Sequence, residues 1–122
     1  MSAFDHLDEI APLLIWPGVV GRSVVGDLTT FTYLELEPDV HVPEHSHANE
    51  QVGVLIRGSV RFRIGDEERD LEPGATWCIR ADVPHQVWAG PGGAGLVEVF
   101  APARDDWGDR ERLAPAHPPL FP

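Results

Sequence analysis

The chain has 122 residues, 43% of them hydrophobic and 24% charged, which is one globular domain with apolar content for one core. Those proportions exclude wholesale disorder, and no apolar run approaches the roughly 20 residues of a membrane-spanning helix. The net charge of −11 sets the surface against phosphate backbones and anionic bilayers, so neither nucleic acid nor membrane is an expected partner.

Residues 1–12 hold the one helical candidate. Ser2 and Asp5 have capping-box spacing, Phe4, Leu7 and Ile10 recur at helical intervals, and Pro12 stops the run. This stretch is acidic and has no apolar h-region, so a cytoplasmic location without a signal peptide is expected. Short runs rich in β-branched and aromatic residues follow. Leu28 to Leu36, Gln51 to Arg57, Ser59 to Ile64, Ala75 to Arg80 and Gly95 to Ala101 read as strands. Val60, Phe62 and Ile64 alternate with Arg61 and Arg63, and Gly65-Asp66 closes a hairpin into the next short strand. The run Gly90 to Gly95 satisfies G-x-G-x-x-G, but a strand pattern follows it where a dinucleotide fingerprint needs a helix, so it reads as a loop. Residues 108–122 are Pro-rich and polar and read as an extended tail beyond a strand domain at 13–107. Many short strands with turn signals predict an all-β, antiparallel sandwich or barrel.

Twelve glycines and twelve prolines supply those turns, and the basic residues are all arginine. Without lysine there is no Schiff-base or P-loop lysine chemistry. The single Cys78 excludes an internal disulfide and a multi-cysteine zinc site, and its apolar neighbours Trp77 and Ile79 place it in the core.

Chemistry concentrates in Pro43 to Gly58. His45 and His47 are two residues apart, so on a strand both point to one face with Cα atoms roughly 7 Å apart, close enough to converge on one ion. Gln51 has the same parity, and His85 follows Pro84 at the start of another strand. Glu50 competes with Gln51 as a ligand, because a bulge would reverse the alternation. His41 shares the parity of His45 and reads as peripheral. Further on, Glu98 and Phe100 share a strand face. A glutamate in an apolar interior has a raised pKa suited to proton transfer. Arg104 follows just past the strand end, where it can reach back over the site.

This pattern resembles the cupin superfamily. The family's first motif is a His-x-His pair, a Glu or Gln three or four residues on, and a glycine after six more; His45, His47, Gln51 and Gly58 fit it. The second, a Pro-Gly turn followed by a proline-flanked histidine, matches Pro73-Gly74 and Pro84-His85. Asp39 and Asp82 stand where glycine is usual, Ala89 where asparagine is frequent, and Gln51 where glutamate is commoner. The resemblance implies a single-domain antiparallel jelly-roll β-barrel with one divalent ion per chain, zinc, nickel, manganese or iron, held by His45, His47, Gln51 and His85. Such a ligand shell is neutral and leaves the ion its full charge. Glu98, Phe100 and Arg104, followed by Asp105 and Trp107, resemble the site of cupins that linearise unsaturated uronates, where aspartate stands in place of Glu98. A polyketide-cyclase cupin also has three histidines and a glutamine. The resemblance therefore implies catalysis by Glu98 and Arg104 and substrate binding by Phe100 and Arg104. The reaction is proton transfer, ring opening or isomerisation of a small oxygenated or carboxylated substrate. A metal-dependent dioxygenase and a non-catalytic sensor are the alternatives. A homodimer is expected, because Val52, Val54 and Val97 face outward.

Overall fold

A computed structural model describes residues 2–114. Eight strands form one antiparallel sheet: β1 (Leu13–Trp16), β2 (Val19–Val25), β3 (Thr30–Leu36), β4 (His41–His45), β5 (Glu50–Ile64), β6 (Glu67–Leu71), β7 (Thr76–Ile79) and β8 (His85–Ala101). The hydrogen-bonded order is β1-β2-β3-β8-β5-β6, with β4 on β8 and β7 on β5. The two long strands are the frame. β5 and β8 pair from Glu50↔Ala101 to Ile64↔His85, with register shifts on either side of Gly58. Gly58 has φ +76°, and a Cβ there would lie 2.0 Å from the Gly93 carbonyl oxygen, so the crossing of these strands requires glycine.

Four expectations need correction. The sheet does not close into a barrel: the path ends at β1 and at β6, which do not pair with each other. Alternation tells inner face from outer face but carries no information on whether two edges meet. The N-terminal helix is absent as well. A single 3₁₀ turn at Leu7–Glu9 stands there, with the His6 ring accepting from the Asp8 amide at 3.1 Å. Phe4, at 89% exposed, has no surface to pack on, and so short a segment cannot hold a helix by propensity alone. The glycine-rich run is no loop. It lies inside β8, with Ala94 and Gly95 paired to Leu36 and Glu35.

The core lies along the inner face, where alternate residues from facing strands meet: Leu34, Leu36, Leu55, Val60, Phe62, Ile79 and Leu96 are all buried. Cys78, the neighbour of Ile79, points the other way and is exposed, which corrects its expected core position. The tail begins by returning to the sheet. Leu14 donates to the Glu111 carbonyl at 2.9 Å and Leu113 to the Pro12 carbonyl at 2.8 Å. The rest of the expected tail, from residue 115, lies outside the described residues, as does His117. No helix among the described residues is long and apolar enough to cross a membrane.

Candidate functional site

Pairing of β4 with β8 sets His45 opposite His85, and the chain leaving β4 brings His47 beside them. The ring centroids are 4.3 Å apart for His45 and His85, 5.0 Å for His47 and His85, and 6.0 Å for His45 and His47. One donor atom from each lies within 4.8 Å of the others. Each ring is anchored through Nδ1 to a backbone carbonyl: His45 to Pro43 at 2.7 Å, His47 to Asn49 at 2.9 Å and His85 to Val83 at 2.8 Å. A carbonyl only accepts, so Nδ1 carries the proton and Nε2 presents its lone pair. This is how metal-binding imidazoles are held. The Nε2 atom of His85 is buried without any hydrogen-bond partner, as a ligand atom waiting for an ion would be. Burial pushes the His85 pKa down to about 4, against the backbone bond to Val83, and the neighbouring His45, His47 and Arg104 push the same way. Burial also lowers that of His45. Neutral imidazoles are the metal-ligating form. His45, His47 and His85 thus form a site for a single divalent metal ion.

Gln51 faces the same interior, while Glu50 is exposed, so no bulge reverses the register. The Gln51 amide oxygen lies 3.0 Å from His47 Nε2, and its amide nitrogen donates to Glu98 Oε2. His41 stands apart, stacked on Trp88 and bonded to Gln86 at 3.0 Å.

Glu98 is 4% exposed. Burial pushes its pKa up to about 7, against the bonds from Gln51 and Trp77 and the charge of Arg104. The Trp77 indole donates to the same oxygen, Oε2, at 2.9 Å. Both donors land on Oε2 and the side chain lines the central cavity, so Oε1 is the oxygen left to the cavity. Trp77 reaches Glu98 because Trp77, Gly53 and Glu98 share one row across β7, β5 and β8. A Cβ at Gly53 would sit 2.6 Å from the indole nitrogen, so the glycine is what lets the ring cross β5. No motif marks this pairing; the register of a neighbouring strand creates it.

Arg104 covers the cavity. Its guanidinium lies 4.9 Å from the Phe100 ring centroid and 4.3 Å from that of Trp107. Nε and Nη2 bind the Asp106 carboxylate at 2.8 and 2.7 Å, which holds the Asp106 pKa below the ordinary range. Nη1 makes no such bond. The backbone is fixed too: the Arg104 amide donates to Thr30 Oγ1 at 2.9 Å, and Asn49 Nδ2 donates to the Pro102 carbonyl at 2.6 Å. Arg104, Phe100, Glu98, Gln51, His45 and His85 all border one cavity of about 80 Å³. Asn49 is a supporting residue that sequence reasoning missed, since it has no motif of its own.

Comparison with known proteins agrees with this fold. The fold is similar to that of an RmlC-like cupin from Shewanella frigidimarina, with TM-score 0.80, 19% identity and coverage of 87% of this chain and 96% of that one. It is similar to KdgF from Halomonas sp., with TM-score 0.79, 19% identity and coverage of 87% and 98%. Oxalate decarboxylase from Bacillus subtilis matches with TM-score 0.70 and 21% identity over 84% of this chain and 31% of its own. No curated protein matches the sequence significantly. A family model described as a cupin domain matches residues 32–100, from within β3 to the next-to-last residue of β8. The chain belongs to the cupin domain family.

Proposed function

We propose that this cupin is a metal-dependent enzyme that moves a proton on a small, oxygenated, carboxylated substrate, in a reaction of the lyase or isomerase type. The observation that carries the reading is the contiguity of the metal cluster with a buried acid beside one cavity: Gln51 sets its amide oxygen 3.0 Å from His47 Nε2 and donates from its amide nitrogen to Glu98. Gln51 is the fourth metal ligand through its amide oxygen, with the amide nitrogen tied back to Glu98. An ion held by His45, His47, His85 and Gln51 would supply Lewis-acid chemistry, polarising a substrate oxygen and acidifying the adjacent carbon. Glu98 then takes or gives the proton at Oε1, because Oε2 already accepts two N–H groups. A carboxyl with pKa about 7 serves in either direction near neutral pH. Arg104 binds the substrate carboxylate through its Nη1 edge, with Phe100 beneath, while Asp106 and Trp107 keep the guanidinium aimed. Oxalate decarboxylase, a similar fold, is named for a carboxylate substrate, in keeping with this assignment.

The outer face supports a homodimer. Val24, Phe31, Val99, Val52 and Cys78 form one row across five strands, with Val24 at 51% and Val52 at 39% exposed. A second copy covering that row would bury its apolar area. Sedimentation should give a dimer for the native chain and a monomer for Val52→Asp.

The test of activity uses protein loaded in turn with zinc, nickel, manganese and iron. Unsaturated monouronates and small keto and hydroxy acids are offered, and oxygen uptake is followed alongside. Turnover without oxygen consumption, reduced about 10²- to 10⁴-fold in Glu98→Gln, is the expected result. Oxygen consumption coupled to turnover would make the protein a dioxygenase. Tight binding without turnover under every metal would make it a sensor.

A further inference from the structure

The walls of the cavity separate chemistry from hydrocarbon by sheet row. The first inner row, across β3, β8 and β5, is Thr30, Phe100 and Gln51, and the second is Thr32, Glu98 and Gly53. These rows hold the acid and the amide. The third row is Leu34, Leu96 and Leu55, and in the next Leu36 pairs with Ala94. Leu34, Leu36 and Leu96 border the cavity there, with Ile15 and Val19 from the neighbouring strands. The nearest hydroxyls are already engaged. Thr30 accepts from the Arg104 amide, and Thr32 bonds Ser23 and the Arg22 carbonyl. A ligand seated at the metal therefore meets Gln51, Glu98 and Arg104 at one end and the leucine-lined hydrocarbon wall beyond, with Gln86 and Arg110 also bordering the cavity.

The cavity has about 80 Å³ of space and is partly open to solvent. An apolar cavity of roughly 150 Å³ accommodates benzene, so its leucine end has room for a short or branched carbon body. A hydroxyl carried into the leucine end would lose water and gain no partner, and each such group weakens binding markedly.

We infer that the substrate is a short carboxylic acid whose oxygens are gathered at one end, as in a 2-hydroxy or 2-oxo acid, and whose remaining carbons are bare hydrocarbon. Polyhydroxylated sugar acids are thereby disfavoured. The inference deepens the proposed function and rests on its placing of the carboxylate between Arg104 and the metal.

The test is a matched pair of ligands titrated calorimetrically into the zinc-loaded full chain: 2-hydroxybutyrate and threonate. Both have four carbons, a carboxylate and a 2-hydroxyl, and they differ only in hydroxyls at C3 and C4. 2-Hydroxybutyrate should bind at least tenfold more tightly, and 2-hydroxyisovalerate, with a branched body, at least as well as 2-hydroxybutyrate. Equal or tighter binding of threonate would overturn the inference, as would failure of all three to bind at 10 mM. Zinc content is measured on the same samples. If zinc does not load, the metal reading itself fails; if zinc loads and threonate wins, only the hydrocarbon-pocket inference fails. Arg104→Lys should weaken all three ligands by the same factor and leave their order intact.

Discussion

Replacing Glu98 by glutamine changes one charge and almost no volume, and the consequence for stability follows from burial. In the fold the Glu98 pKa stands at about 7 against an ordinary value of 4.5. A carboxyl raised in this way keeps more protons in the folded state than in the unfolded one. Its contribution is complete below the unfolded pKa and is lost as pH rises through the folded one. At about 1.4 kcal/mol per pH unit the loss amounts to about 3 kcal/mol, most of it between pH 5 and pH 8. His85 acts in the opposite sense. Its folded pKa of about 4 lies below 6.5, so its stability is present above pH 6.5 and is lost as pH falls toward 4. The two effects overlap and largely cancel in the native chain. They separate when native protein and Glu98→Gln are compared, because the histidines are common to both. Urea denaturation with a metal chelator present, at intervals from pH 5 to pH 8, gives the difference directly. Native minus variant stability should fall by about 3 kcal/mol across that window. A difference constant with pH would show that Glu98 titrates normally and would remove the physical basis for its role as a proton carrier.

Further expectations follow from the same geometry. His45→Ala and His85→Ala should each abolish stoichiometric metal, with Gln51→Ala weaker in effect and Glu50→Ala silent, measured by elemental analysis after dialysis. Trp77→Phe deletes one donor to Glu98 Oε2, and Gly53→Ala pushes the indole away from it. Each should cut kcat about tenfold with KM little changed, and the double variant should be no worse than the poorer single one. Arg104→Lys should chiefly raise KM, because lysine keeps the charge but cannot bind Asp106 in a fork and a carboxylate at once, and Asp106→Asn should do the same more mildly. Gly58→Ala should lower stability by more than about 1 kcal/mol in urea titrations, since its positive φ and the Gly93 carbonyl leave no room for a methyl group.

The site was legible in the sequence to the extent that it depends on strand parity and short spacing. The inward set of Gln51 and the pairing of Glu98 with Phe100 follow from a period of two, while His45 and His47 are marked by their short spacing, although His47 lies past the end of β4. The second motif places His85, but only pairing of β4 with β8 brings it to 4.3 Å from His45. What escaped depends on long-range register. Trp77 belongs with Glu98 because two unrelated pairings share Gly53, and the Asn49 clamp on Pro102 spans the chain between β5 and the end of β8. The fold was legible in its class and in five of its strand segments. β1, β2 and β4 escaped, because Pro12, Pro43 and the half-exposed ends of these strands weaken the alternation. The extent of closure escaped because an edge is defined by what fails to pair with it.

The central claim is a single metal ion held by the three histidines through Nε2. X-ray absorption on protein purified without added ions tests it most directly, alongside elemental analysis of the same sample. The account predicts one divalent ion per chain with imidazole scattering from three rings at nitrogen distances of about 2.0–2.1 Å for zinc. No bound metal, or an ion whose imidazole signal survives in the His45→Ala, His85→Ala double variant, would contradict it.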